Sequence, residues 1–92
     1  MKVTEFSEFA AALNRLQVED VAELLSVPHF RRKVEAAVTL AGFDPLVAAD
    51  PCLDKIMAAV GSSDPLHGQI LAVFRSFEAY KASSGHGTPM VA

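Results

Sequence analysis

One cysteine, one tyrosine and no tryptophan stand in this chain of 92 residues. Cys52 alone cannot close an internal disulfide, so packing has to hold the fold together. A single thiol also suits a reducing compartment. No apolar run approaches the ~18 residues of a membrane span. Glu5 and Glu8 interrupt what would have to be the apolar stretch of a signal peptide. A cytoplasmic protein without a membrane partner is therefore expected. Positive charge is scarce: eight Lys and Arg stand against eleven Asp and Glu, for a net charge of −3. That balance argues against a general nucleic-acid coat or a basic membrane binder. Strand signals are missing too, because no alternating apolar and polar run is bounded by hairpin dipeptides.

Helix signals are present throughout. Three Asp-Pro pairs, Asp44-Pro45, Asp50-Pro51 and Asp64-Pro65, each read as a helix start. The carboxylate caps orphan N–H groups, and proline at the first helical position loses nothing by lacking its own. Apolar spacing predicts a first helix to about Leu16, capped by Thr4 or Ser7, with Phe6, Phe9, Ala10, Leu13 and Leu16 on one face. A short second helix covers Glu19 to Leu25. Proline disfavours helix at the residue before it, so the chain breaks at Ser26-Val27 and restarts at Pro28. The third helix runs to Ala41, with Phe30, Val34, Ala37, Val38 and Ala41 as its stripe and Gly42 as a left-handed terminator.

Asp44-Pro45 opens one turn that sends Leu46 and Val47 inward. Asp50-Pro51 opens a helix to Val60 that buries Leu53, Ile56, Met57 and Val60. The last helix carries Leu66, Ile70, Val73, Phe74, Phe77 and Tyr80 on one face. The expected fold is all-α, a compact bundle of about five short helices over residues 1–82. A flexible tail is expected over 83–92, where Gly, Ser, Thr and Pro show no periodicity.

Charge is unevenly spread. Arg31, Arg32 and Lys33 form a basic island early in the third helix, inside an otherwise acidic chain. Cations there oppose the helix macrodipole, a local cost that an acidic partner would offset. The stretch from Val18 to Val34 resembles the helix-turn-helix of small bacterial DNA-binding proteins. An acidic helix with Leu24-Leu25 is followed by a short turn and a basic helix. By that resemblance His29, Arg31, Arg32 and Lys33 would face DNA. Ser26 stands where that motif usually has glycine, and Arg32 takes its usual aliphatic position.

Catalytic readings are poorer. Cys52 would be the second residue of a helix, where a thiol can be activated, but it needs a base such as His67 or His86 folded beside it. His29, His67 and His86 are scattered, and no metal set stands at recognised spacing. The sequence thus points to a non-enzymatic protein-protein interaction module, a small adaptor, inhibitor or assembly subunit, with no cofactor and no metal. Its partner is another protein or a second copy. A helix-turn-helix regulator is the runner-up, and an enzyme using Cys52 comes third. The expected docking residues are His29, Arg31, Arg32, Lys33, Ala36 and Leu40. Ala36 and Leu40 lie off the main stripe, as Leu71 does on the last helix, and such surplus apolar surface marks partner sites.

Overall fold

A computed structural model describes residues 1–87. Those residues form six helices and no strand: α1 (Val3–Asn14), α2 (Val18–Leu24), α3 (Pro28–Ala41), α4 (Pro45–Ala48), α5 (Pro51–Ala59) and α6 (Pro65–Gly87). The all-α expectation holds. Helix α6 runs on to Gly87, so the first part of the expected tail 83–92 is helical, and residues 88–92 lie outside the described residues.

All three Asp-Pro caps are in place. Asp44 accepts the Leu46 amide at 3.0 Å, Asp50 the Cys52 amide at 2.9 Å and Asp64 the Leu66 amide at 2.9 Å. Each carboxylate satisfies a donor that the new helix leaves without an intrahelical acceptor. The first helix starts differently from the expectation. It begins at Val3, ahead of both Thr4 and Ser7, because the Glu5 carboxylate reaches back to accept the Lys2 amide at 3.2 Å. Gly42 also departs from it. Its backbone is right-handed (φ −67°, ψ −20°), and its N–H donates to the carbonyls of Val38 and Thr39, so the helix ends in a tightened turn.

The core is continuous and apolar. Leu13 and Phe6 of α1, Val21 of α2 and Val34 and Ala37 of α3 meet Leu53 and Ile56 of α5 and Leu66 and Ile70 of α6. Helix α5 is the central element, packed on α1, α2 and α6, while α3 packs on α4 and α6. Lys55 adds a polar tie. Its ammonium donates to the carbonyls of Leu13, Asn14 and Leu16 at 3.2, 3.0 and 2.6 Å. These carbonyls lie in the last turn of α1 and just beyond it, where a cation is favoured by the macrodipole; that of Leu13 also accepts the Leu16 amide.

Helix α6 is longer than its buried face. Leu66, Ile70 and Val73 are buried and Phe74 and Phe77 half-buried, whereas every residue from Glu78 to Ser83 is exposed. At 1.5 Å per residue a helix of 23 residues is about 34 Å long. The stretch from Glu78 to Ser83 therefore stands clear of the bundle. No helix among the described residues is long and apolar enough to cross a membrane.

Candidate functional site

The structure divides the basic island. Arg31 turns to Asp64 at the start of α6 and makes a two-pronged ion pair with it, while Glu35 approaches its Nε at 3.6 Å. These bonds raise the Arg31 pKa and hold the Asp64 carboxyl below its ordinary range, helped there by the Leu66 amide. Arg31 is thus spent on joining α3 to α6. A glutamate at that position would face Asp64, so the charge of Arg31 cannot be reversed without cost to the fold.

His29, Arg32 and Lys33 stay exposed, with Ala36 half-buried beside them. They share one stripe of α3 at helical spacing. Leu40 continues the stripe but packs against the core. Across from this stripe run Glu5, Glu8 and Ala12 of α1, also at helical spacing. The two helices are bridged by the rings of Phe9 and Phe30, 5.6 Å apart at their centroids. Two shallow depressions of about 300 and 350 Å³ lie in the groove between them and share Met1, Glu5 and Lys33. The groove has an acidic wall on α1, a basic wall on α3 and half-buried Met1, Phe9 and Ala36 between.

A second surface escapes a reading of the sequence. Phe43 and Leu46 are 85% and 84% exposed. Leu46, expected inward, points out because α4 is a single turn. One turn gives one buried face, and Val47 and Ala48 occupy it. Phe43 lies between the end of α3 and the Asp44 cap, where no periodicity betrays it. Phe43 lines a cleft of about 140 Å³ between α4 and α6, with Pro45, the neighbour of Leu46, beside it and Phe77 and Tyr80 on the far side. Those two rings stack at 6.4 Å, and the Lys81 ammonium lies 4.9 Å over Phe77. Tyr80, expected on the buried stripe, is half exposed because α6 has already left the core at that height.

Cys52 is fully buried. Desolvation, reinforced by Asp50, pushes its thiol up to about 12. It is protonated at neutral pH and out of reach of a substrate, the opposite of an activated thiol. Among the described residues, no three His, Cys, Asp or Glu side chains gather in a way that could hold a metal ion. The two helices that resemble a helix-turn-helix also find separate supports: the main neighbour of α2 is α5, while α3 rests on α4 and α6.

No protein-family model matches the chain, and neither the curated proteins nor the solved structures contain a match.

Proposed function

We propose that this chain is a non-enzymatic protein-interaction module, an adaptor or assembly subunit acting in the cytoplasm, that docks a partner protein through a helical surface. The observation that carries the reading is the exposure of two large apolar side chains three residues apart, Phe43 in the α4–α6 cleft and Leu46 on α4 next to the cleft residue Pro45. Their side chains contribute little to a core that is complete without them. Aromatic and large aliphatic anchors set next to a pocket are what protein interfaces use for most of their binding energy. Duplex DNA is held instead by cations and polar groups that reach phosphates and base edges, which Phe43 and Leu46 do not supply. The buried, protonated Cys52 speaks against thiol catalysis.

The test is affinity purification of the tagged chain from its host, run in parallel with Phe43→Glu/Leu46→Glu and Arg32→Glu/Lys33→Glu. The reading expects a stoichiometric partner protein that the first double variant loses. An unchanged set of captured proteins would overturn it. Retention of duplex DNA that weakens with salt and vanishes with the second variant would favour the regulator reading.

A further inference from the structure

We infer that the groove between α1 and α3 is a two-fold interface at which a second copy of this chain docks. This surface is separate from the Phe43–Leu46 corner, and the inference does not depend on that corner's role. Its basis is the arrangement of charge. The α1 wall of the groove carries Glu5 and Glu8, and the α3 wall carries His29, Arg32 and Lys33. Arg32, Lys33 and Glu8 make no ion pair or side-chain hydrogen bond within the described residues, and Glu5 only accepts the Lys2 amide. Four charges are thus left in two opposed rows on either side of a half-buried apolar floor.

Such a surface is its own complement in one orientation. Rotation by 180° about an axis running along the groove lays the α1 wall of each copy on the α3 wall of the other. Glu5 and Glu8 then face Arg32 and Lys33 of the second copy, and the same contact repeats on the other side. Residue i meets j and j meets i, as an isologous interface requires. Met1, Phe9 and Ala36 of the two copies meet at the centre, where water is excluded. An axis across the groove would instead set acid on acid and base on base, so the charges select one geometry and reject the other. The cations at the start of α3 then acquire a purpose. They are unfavourable to their own helix and favourable to the α1 of a second copy.

The test is sedimentation equilibrium from low micromolar to millimolar protein, on the wild type and two charge-reversed chains. Glu5→Lys/Glu8→Lys makes both walls basic, and Arg32→Glu/Lys33→Glu makes both acidic. The wild type should dimerise with rising concentration and dissociate with salt. Each double variant alone should weaken the dimer at least tenfold, and an equimolar mixture of the two should restore it as a heterodimer. Circular dichroism checks that each is folded, and Glu8→Lys alone replaces the first variant should Glu5 prove necessary to the start of α1. A wild type that stays monomeric throughout overturns the inference. So does a dimer that the reversals leave unchanged, or a mixture that fails to re-form it. Because the readout needs no foreign partner, its failure leaves the docking role of Phe43 and Leu46 to be judged by its own variants.

Discussion

The Arg31 guanidinium grips the Asp64 carboxylate in a fork, Nη1 to Oδ2 at 3.0 Å and Nη2 to Oδ1 at 2.5 Å, and ties the start of α3 to the start of α6. The same carboxylate accepts the Leu66 amide, so one side chain both caps a helix and anchors it to another.

That double use makes stability sensitive to acid. The folded Asp64 carboxyl lies below its ordinary 3.8, first through Arg31 and then through the Leu66 amide. A depressed folded pKa contributes stability that is complete above the unfolded value. It is lost as pH falls from about there through the lower folded value. Asp64→Asn should lower the thermal midpoint at neutral pH, and the gap from wild type should narrow steadily below pH 3.8. A gap that is constant with pH would disconnect the fork from the acid response.

Lys55 should act as a structural cation. Lys55→Met keeps most of the apolar stem but removes the ammonium from the Leu13, Asn14 and Leu16 carbonyls, of which Leu13 keeps the Leu16 amide. Hydrogen bonds to charged groups contribute about 1.5–3 kcal/mol. Water reaches this half-exposed site, so a loss near the low end of that range is expected in urea denaturation. Lys55→Arg should recover part of it.

The buried and overhanging parts of α6 should respond differently. Ile70 is fully buried, and Ile70→Ala should cost about 2–5 kcal/mol through lost transfer energy and the cavity left behind. Phe77 is only half-buried, and solvent already reaches its ring. Phe77→Ala should cost less than Ile70→Ala even though it removes more atoms. Chemical denaturation of the two variants side by side gives the order.

Cys52 should be inert while the fold is intact. With its thiol pushed up to about 12 and no exposed surface, alkylation by iodoacetamide at pH 8 should wait for unfolding. Labelling should become fast once urea passes the denaturation midpoint. Above the thiol's ordinary 9.0, ionisation of the unfolded chain should erode stability progressively until the folded thiol titrates near 12.

The sequence discloses what local chemistry decides. Asp44, Asp50 and Asp64 cap amides two residues ahead, so a dipeptide is enough to place them. The span of α3 and the stripe of Val34, Ala37, Val38 and Ala41 follow from proline and from periodicity in the same way. Relationships set by the tertiary fold stay hidden. Nothing near Arg31 announces a carboxylate 33 residues away, and nothing near Lys55 announces carbonyls about 40 residues back. Leu46 reads as a core residue by composition and is turned outward by the brevity of α4. The stripe of His29, Lys33 and Ala36 is legible on its own helix. Its acidic counterpart is not, since only the folded chain, through the Phe9–Phe30 contact, brings Glu5 and Glu8 of α1 opposite it.

The overhang of α6 gives a single helix two thermodynamic regimes. Amides around Ile70 and Val73 sit inside the cooperative unit, so hydrogen exchange there has to wait for the whole domain to open. The exposed residues Lys81 to Ser83 make no contact with the core, so their amides should exchange through local opening that leaves the helix below intact. Phe77 and Lys81, ring under ammonium, lie across the boundary between the two. A ligand seated on the neighbouring cleft would therefore shift this boundary along the helix, and slower exchange past Tyr80 would report its arrival from a distance.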